Sequence, residues 1–446
     1  MKGAKMPLAV ACSVRCQIRM GHTDNWRKQI HNNEFLQGII WNYGSLIILS
    51  ISGFLFNCLI LYFYDTTALG VFNRGYAWYL VLSQISVWGI HMSVLKLTPE
   101  YKTDIQKCEE MLNDALIGVL IHSVVVVCVT EAILPLLVSG HEDLLKSLQI
   151  VVPGLVFFSL NKVMLNYING LSEMKAYAFF QSLRYIVIVF TIFVLGVLSC
   201  DSNWLLFSFV QAEIVTFLLS VGYLLYKGLI GKHISFKYLR QHIQFGTHIL
   251  PANMVIELNT KVDIICLGFV LQDDYLIGIY SFSIMFVEGF YQLYITVRRS
   301  INPKITECYV RNDSMRGIEE INRNLKKYLR VFSPLALVLI LIGYYVICRL
   351  LNQNDYTMGL GILLMVCSAI VLNGRSIIFG NILSQMGRPG AESIINTVTV
   401  VSNFVFNLIL ILGLGLWGAA LATAISHFVF GITLRYSAKK ELQIIL

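Results

Sequence analysis

The chain has few charged residues. Only 13% of its 446 residues are Asp, Glu, Lys or Arg, whereas an ordinary soluble domain contains about 25%. Hydrophobic residues make up 56% of the chain, and the mean hydropathy is +0.68. This composition excludes a soluble globular protein and predicts a polytopic membrane protein, whose hydrophobic surface faces lipid as well as a core.

Several short motifs are also absent. The ten cysteines contain no CxxC pair, so we predict no metal site and no disulfide framework. There is no nucleotide-binding loop, no nucleophile motif and no HExxH sequence. The first 36 residues contain no long apolar run, which argues against a cleavable signal peptide. We expect no cofactor, and we attribute the net charge of +8 to cytoplasmic loops rather than to a nucleic-acid partner.

Twelve apolar runs are long enough to cross a bilayer as helices, which takes about 17–25 residues each. The sequence therefore predicts an all-α protein with twelve transmembrane helices. An even number of spans places both chain termini on the same side of the membrane. The predicted spans are 40–63, 76–96, 115–138, 147–169, 179–199, 204–226, 247–270, 275–297, 331–351, 359–382, 393–413 and 416–435.

The positive charges indicate which side this is. Lys and Arg concentrate in the connections after the even-numbered spans and in the tail, and this excess marks cytoplasmic loops. After the fourth span come Lys175 and, just inside the next span, Arg184. The opposite connections are nearly free of positive charge, with Arg74, Lys146 and Arg349 as exceptions. We expect both termini in the cytoplasm, and a bacterial cytoplasmic (inner) membrane is the predicted location.

Two short sequence patterns recur at nearly the same offset along the chain. Leu69-Gly70-Val71-Phe72 resembles Ile277-Gly278-Ile279-Tyr280, and Leu171-Ser172-Glu173-Met174 resembles Leu383-Ser384-Gln385-Met386. They predict two six-helix halves, related by a pseudo-twofold axis along the membrane normal, with a central cavity between them. The predicted parts are a cytoplasmic N-terminal segment (1–36), an N-terminal half (37–226), a cytoplasmic hinge linker (227–246), a C-terminal half (247–436) and a cytoplasmic tail (437–446).

Ionisable residues lie inside several predicted spans. Each costs about 2.5–3.5 kcal/mol near a bilayer centre on insertion scales, and the seventh span contains three, Glu257, Lys261 and Asp263. One interpretation is a set of ion pairs that only hold helices together, for instance Glu257 with Lys261, which share one helix face. The favoured interpretation is a polar path through the membrane. The other residues of the set are Glu131, Lys162, Glu213, Glu288 and Arg375.

The bases and acids of this set have different predicted roles. Lys162, Lys261 and Arg375 are candidate contacts for an anionic group, and Arg298 with Arg299 forms either a basic rim at the cytoplasmic mouth or an ordinary membrane anchor. The candidates for coupling to H⁺ or Na⁺ are Glu131, Glu213, Glu257, Asp263 and Glu288. Pro251 predicts a kink that is either static or allows bending. For Asn403 and Asn407, hydrogen bonding between helices is favoured over cavity lining.

A family resemblance rests on the type and placement of residues over about 35–440. It is carried by Asn57, by Gly70-Val71-Phe72-Asn73, by the span from Leu250 to Asp263, by Ile277-Gly278-Ile279-Tyr280 with Glu288 and Pro303, and by Gly387-Arg388-Pro389 followed by Asn403, Asn407 and Gly418-Ala419-Ala420-Leu421-Ala422-Thr423. In these features the chain resembles the multidrug/oligosaccharidyl-lipid/polysaccharide exporter superfamily. Within it, the chain looks like a Wzx-type polysaccharide (O-antigen) flippase.

This resemblance implies a transporter rather than an enzyme. Its substrate would be an oligosaccharide unit on undecaprenyl pyrophosphate, moved by alternating access from the cytoplasmic to the periplasmic leaflet for O-antigen, capsule or exopolysaccharide synthesis. A polysaccharide polymerase and a chain-length regulator would be its partners. One alternative is an ion-coupled multidrug or organic-cation antiporter that uses Glu257, Asp263 and Glu288. Another, a polymerase or glycosyltransferase, is disfavoured because the predicted outer loops are short.

Overall fold

The computed structural model describes residues 34–138, 140–231, 235–310, 314–352 and 356–444. All regular structure in these ranges is helical, which confirms the predicted all-α class. The predicted N-terminal segment, up to residue 33, and the basic residues Lys232 and Arg311 lie outside the described ranges. The helices are α1 (Glu34–Phe63), α2 (Thr66–Val87), α3 (Ile90–Tyr101), α4 (Ile105–Leu137), α5 (Glu142–Val151), α6 (Gly154–Gly170), α7 (Met174–Val197), a 3₁₀ turn (Ser202–Leu206), α8 (Phe207–Tyr226), α9 (Leu239–Val270), α10 (Asp274–Val310), α11 (Ser314–Leu350), α12 (Tyr356–Ile378), α13 (Ile382–Gln385), α14 (Pro389–Leu414) and α15 (Leu416–Leu442).

Nine of the described helices are long and apolar enough to cross a membrane, and up to eleven spans result if each of two bent helix pairs counts as one. The bent pairs are α2 with α3, at 51°, and α5 with α6, at 44°. The predicted number of twelve is therefore not confirmed. The predicted seventh span corresponds to α9, which falls outside this set and contains Glu257, Lys261 and Asp263.

The break between α2 and α3 was not predicted, because residues 76–96 form one apolar run. Trp88 (φ 49°) and Gly89 (φ 68°) both adopt left-handed backbone conformations there. Only glycine reaches this region at little cost, so Trp88 stores conformational energy at the bend. Its indole Nε1 donates a hydrogen bond to Thr247 Oγ1 of α9 at 3.0 Å, which helps to hold the unusual geometry.

The helices run up and down, so their connections gather at two ends of the bundle. We call the end that contains residues 64–65, 198–201 and 271–273 the turn end, and the end that contains 102–104, 171–173, 227–231 and 235–238 the linker end. At the linker end, Lys102 Nζ donates to the Leu171 carbonyl at 2.8 Å and Lys227 pairs with Glu173 at 3.6 Å. The linker end is the predicted cytoplasmic end, and its orientation in a membrane stays a prediction.

At the turn end, α2 packs closely on α10. A Cβ atom on Gly70 would overlap the backbone oxygen of Asp274, and a Cβ atom on Gly278 would overlap that of Thr66. Arg74 on α2 pairs with Asp274 at 3.1 Å and donates to the Gly268 carbonyl at 3.0 Å. The two copies of the first repeated pattern, around Gly70 and Gly278, thus pack against each other. A symmetry relation between the halves stays a prediction.

At the linker end, α9 and the residues before it form hydrogen bonds to the N-terminal half, although α9 was assigned to the C-terminal half. Asp114 of α4 accepts hydrogen bonds from the backbone N–H groups of Ser235, Phe236 and Tyr238, between 2.9 and 3.2 Å. His242 of α9 pairs with Ser93 of α3 at 2.9 Å. Residues 239–246 of the predicted hinge linker are therefore helical, and the described residues just before them are held by α4.

Candidate functional site

The N-terminal half contains a buried ion pair near the middle of its helices. Arg184 Nε of α7 lies 2.6 Å from Glu213 Oε1 of α8, and the Glu213 side chain is only 1% exposed. Asn161 Nδ2 of α6 donates to both Glu213 Oε2 and the Glu213 carbonyl at 2.8 Å. The charge of Glu213, a predicted coupling residue, is thus balanced inside its own half. The sequence analysis did not identify Arg184 as the partner of Glu213. The position of Arg184 inside a predicted span could have indicated it.

Three cations lie beside one group of aromatic rings. Lys162 Nζ lies 5.6 Å and Arg184 Cζ 5.0 Å from the centre of the Phe158 ring, while Lys261 Nζ of α9 lies 5.8 Å from that of Tyr76. The connecting rings of this central cluster are Phe158, Tyr79, Phe209 and Tyr76, with neighbouring centres 4.8 to 5.8 Å apart. Cation–π contacts of this kind hold charged groups against apolar surroundings. Lys162 and Lys261, predicted from separate spans, are therefore joined through one aromatic wall.

The ion pair of Glu257 with Lys261, which the helix-holding interpretation predicted, is not observed. Lys261 forms its ion pair with Glu288 of α10, at 3.8 Å, and not with Glu257. Glu257 has no ion-pair partner within 4.0 Å among the described residues. Because the Glu288 side chain is 55% exposed, its pairing with Lys261 contributes little to stability. Lys261 nevertheless lies against Tyr76 of the N-terminal half.

The C-terminal half contains a partly buried carboxylate without a cationic partner among the described residues. Asp263 of α9 accepts hydrogen bonds at 2.7 Å from the Tyr280 and Thr423 hydroxyls and from Asn407 Nδ2, with Asn403 Nδ2 at 3.4 Å. Among the described residues, no Lys, Arg or His nitrogen lies within 4.0 Å of it. An ionised carboxylate in such surroundings lacks one compensating charge.

The side chains around Asp263 are rich in oxygen. The Asn407 Oδ1 atom is buried and has no donor among the described groups. Asn403 Oδ1 accepts from Asn407 at 3.1 Å, and the Thr423 hydroxyl donates to Asp263. Carboxylate, amide and hydroxyl oxygens are ligands of hard cations such as Na⁺. The group could therefore hold a proton or a small cation, and its two asparagines form hydrogen bonds between α14 and α9, as the favoured prediction had them.

The remaining predicted basic residues lie elsewhere. Arg298 of α10 donates to the Ile377 carbonyl at 2.7 Å and to Asn381 Oδ1 at 3.2 Å. Arg375 lies in the last turn of α12, at the linker end, and donates to Asn322 at 3.5 Å. Arg299 is exposed. The structure therefore separates the single predicted anion-binding set into a central pair, Lys162 and Lys261, and a group at the linker end.

Glu131 of α4 stands apart from the other predicted acids. It is half-buried, and its Oε1 atom is buried without a hydrogen-bond partner among the described groups. Most of the surrounding face of α4 is exposed and apolar, including Val125, Val129 and Ile133. The structure does not bring Glu131 to the central cluster or to Asp263.

Comparison with solved structures identifies the fold. The chain superposes on the lipid II flippase MurJ in an inward closed conformation with a TM-score of 0.72, at 19% identity, over 90% of this chain and 87% of that one. It matches an inward-facing multidrug resistance MATE family transporter of the MOP superfamily with a TM-score of 0.72, at 10% identity, over 89% and 94%. The outward-facing form of a MATE transporter gives 0.51, at 12% identity, over 90% and 95%.

Sequence comparisons point to glycan assembly. A probable low-salt glycan biosynthesis flippase, Agl15 of Haloferax volcanii, is 24% identical over 199 residues. This match covers 44% of the present chain and 42% of that protein, so it spans less than half of the relative's length. A family model described as "Polysaccharide biosynthesis protein" matches residues 35–307, which is more than half of the chain. The chain therefore belongs to this polysaccharide biosynthesis protein family.

Proposed function

We propose that this protein is a flippase that moves an oligosaccharide unit linked to undecaprenyl pyrophosphate between the two leaflets of a membrane. The observation that carries the proposal is the central cluster, where Lys162, Arg184 and Lys261 surround a shared aromatic wall. A diphosphate headgroup cannot enter hydrocarbon without charged partners, because burying unpaired charge is very costly. Lysines supply point charges for phosphate, and the rings offer apolar faces to sugars.

Movement of the headgroup would proceed by alternating access. In the present conformation, Gly70, Gly278 and the Arg74–Asp274 pair hold α2 against α10 at the turn end. Release toward that end requires this contact to open. Since α9 is fastened to the N-terminal half near His242 and to α14 and α15 near Asp263, a change in its curvature around Pro251 would move the halves relative to each other. This supports the bending interpretation of Pro251 over the static one.

We assign coupling to Asp263 among the five predicted acids. Glu213 already has a guanidinium partner at 2.6 Å, and Glu288 has Lys261 at 3.8 Å. Asp263 has only neutral donors, and it lies on the helix that contacts both halves. Binding of H⁺ or Na⁺ there would supply the missing charge and would favour one curvature of α9. Bacterial O-antigen, capsule or exopolysaccharide units are the proposed cargo, to be received by a polymerase with its chain-length regulator.

A second candidate function is export of organic cations coupled to an ion. It is favoured by Glu257, which has no ion-pair partner within 4.0 Å among the described residues and lies on α9 four residues before Lys261, which contacts the Tyr76 ring. An aromatic ring beside a carboxylate is a suitable site for an organic cation. Loss of the gene would then change dye or drug tolerance and leave surface glycans intact. The flippase proposal predicts the opposite pair of results.

The direct experiment measures flipping in proteoliposomes. Purified full chain is reconstituted with a labelled lipid-linked oligosaccharide, and the fraction reached by an external glycan-modifying reagent is followed over time. Lys162→Gln and Lys261→Gln should each slow flipping at least about tenfold, because each removes a charge-assisted contact of roughly 1.5–3 kcal/mol. Lys146→Gln, which alters an exposed pair with Glu142 at the turn end, is the matched control. Unchanged flipping in both cavity variants would refute the assigned role.

A further inference from the structure

A cavity of about 150 Å³ lies at the turn end, and its walls come from both halves of the molecule. On the side of the N-terminal half, Arg74 and Trp78 of α2 and Leu144 of α5 line it. On the other side, Ile265 and Phe269 of α9 line it. The cavity is separate from the central cluster and from Asp263, since none of their side chains reaches its wall.

The contacts beside the cavity join the same two walls. The ring centres of Trp78 and Phe269 lie 5.5 Å apart in an edge-to-face contact. Arg74 donates to the Gly268 carbonyl of α9 at 3.0 Å and pairs with Asp274 of α10 at 3.1 Å. A Cβ atom on Gly268 would lie 2.7 Å from Arg74 Nε, so the glycine lets the arginine lie along α9. The cavity therefore persists only while α2 and the turn end of α9 stay in contact.

The walls combine apolar surface with hydrogen-bond donors. Trp78, Phe269 and Leu144 offer apolar side chains to the body of a ligand. The guanidinium of Arg74 has five N–H donors, and its bonds to Asp274 and to the Gly268 carbonyl use two of them. Because the Asp274 carboxylate already balances the charge of Arg74, a further acceptor need not be an anion. The chemistry of the wall fits an uncharged oxygen on an apolar body.

Size and access restrict the ligand further. An apolar cavity of about 150 Å³ in another protein is large enough to bind benzene. Leu137, the last residue of α4, and Phe269 line the present cavity and are also exposed. Since α4 is one of the helices long and apolar enough to cross a membrane, these exposed apolar side chains face lipid. A ligand therefore reaches the cavity from the bilayer.

We propose that this cavity binds a small uncharged amphiphile dissolved in the bilayer, with an aromatic-sized apolar body and one hydroxyl or carbonyl oxygen that accepts from Arg74. The ligand contacts both walls, so it binds the closed turn end better than an open one. Binding therefore stabilises the closed state. The binding site stands on the geometry of the cavity. Only its effect on flipping rests on the proposed function.

The first test uses 4-bromobenzyl alcohol, which has an aromatic ring, one hydroxyl and a bromine atom that quenches tryptophan fluorescence. In purified full chain in phosphatidylcholine nanodiscs, we expect saturable quenching on top of a linear component from alcohol dissolved in the lipid. Trp78→Phe should remove the saturable component, because Trp78 lines the cavity. Absence of saturable quenching, or its persistence in Trp78→Phe, would overturn the site.

The second test fills the cavity. Leu144→Phe and Ile265→Phe add carbon atoms from opposite walls, so each should raise the Kd of the alcohol at least about tenfold. The matched control is Leu145→Phe, the same change at the next residue of α5, which does not line the cavity and should leave the Kd unchanged. An unchanged Kd in both filled variants, or an equal rise for Leu145→Phe, would contradict the assignment. Each variant is first checked for a monodisperse elution profile, and either filled variant alone decides the test.

Hydrogen–deuterium exchange measures the effect on the turn end. The alcohol at about ten times its Kd should favour the closed state about tenfold and slow amide exchange in residues 66–78 and 265–278. Leu144→Phe should not show this response to the alcohol. Unchanged exchange in the protein with bound alcohol would refute the stabilisation of the closed state.

The flipping assay separates this inference from the proposed function. At the same concentration, the alcohol should slow flipping of the lipid-linked oligosaccharide by a similar factor, and it should not slow flipping by Leu144→Phe. Unchanged flipping with the alcohol bound would refute its effect on transport. Saturable binding and slowed exchange in a protein that does not flip the lipid would contradict the proposed function and leave the cavity site standing.

Discussion

Glu213 in the N-terminal half and Asp263 in the C-terminal half are two carboxylates among packed helices that are stabilised in different ways. Glu213 has Arg184 at 2.6 Å, and its carboxylate accepts a hydrogen bond from Asn161 Nδ2 at 2.8 Å. Asp263 in the C-terminal half has hydroxyl and amide donors from three helices and no cation. The first group is electrically complete, whereas the second lacks one positive charge. We therefore propose that a mobile ion or proton binds beside Asp263 and not beside Glu213.

This difference is also the reason why we assign coupling to Asp263 and not to Glu213. A buried ion pair resists change, because removing either partner leaves an uncompensated charge and costs about 3–5 kcal/mol. A carboxylate held by neutral donors responds to the arrival of a cation, because the donors can turn and their oxygens can become ligands. Asp263 lies on α9, the helix that contacts both halves, so such a response has a route to the rest of the molecule.

The largest predicted effect comes from removing one partner of the Arg184–Glu213 ion pair. Arg184→Met leaves Glu213 buried without a cation, so we expect the free energy of unfolding to fall by about 3–5 kcal/mol. Thermal unfolding of the purified protein, followed by intrinsic fluorescence, measures the loss. The double variant Arg184→Met with Glu213→Gln should recover most of it, because no unpaired charge remains. Equal instability of the single and double variants would show that the ion pair is not the cause.

The next largest effect concerns Asp263, whose hydrogen-bond donors are all neutral. Asp263→Asn keeps the shape of the side chain and removes its charge, so the response of flipping to a Na⁺ or pH gradient should disappear, with a rate loss of at least about tenfold. In detergent, added Na⁺ or acid should no longer raise the unfolding temperature of the variant. Asp143→Asn, an exposed acid at the turn end, is the control and should behave like the unchanged protein. A retained gradient response would move coupling to another residue.

A smaller effect is expected from the donors around Asp263. Asn407→Ala removes one hydrogen bond of 2.7 Å and a buried amide oxygen, so the apparent affinity for the coupling ion should fall about tenfold, which corresponds to 1.4 kcal/mol. The ion dependence of the flipping rate measures this change. Asn166→Ala is the matched control, because the one acceptor of Asn166 among the described residues is the Lys162 carbonyl of its own helix. The same shift in both variants would count against a site at Asp263.

The smallest effect on stability is expected for the Lys261–Glu288 ion pair. Lys261→Met breaks an ion pair of 3.8 Å whose acid is 55% exposed, so the free energy of unfolding should change by less than about 1 kcal/mol. Flipping should nevertheless fall, as proposed above, because the lysine meets the headgroup. A matched Met variant at Arg184 gives the contrast between a structural and a functional cation. A loss of stability as large as that of Arg184→Met would make Lys261 structural.

Much of the helical framework was predictable because apolar length is a local property of the sequence. Long apolar runs predicted α1, α7 and α14, and most of the predicted boundaries lie within a few residues of the observed ones. Local patterns failed where packing decides the backbone, as at Trp88 and Gly89, whose left-handed conformations divide one apolar run into two helices. Local patterns also could not show that Asp114, on a distant helix, accepts hydrogen bonds from the segment before α9.

The sequence by itself determined which residues are unusual, since a charge within an apolar run is visible without coordinates. It therefore led to the family of the chain and identified a set of eight ionisable residues: Glu131, Lys162, Glu213, Glu257, Lys261, Asp263, Glu288 and Arg375. Only the tertiary structure decided their partners, because an ion pair depends on which helices become neighbours and on the direction of each side chain. Packing of α7 on α8 gave Glu213 its arginine, and packing of α9 on α14 and α15 left Asp263 with neutral donors alone.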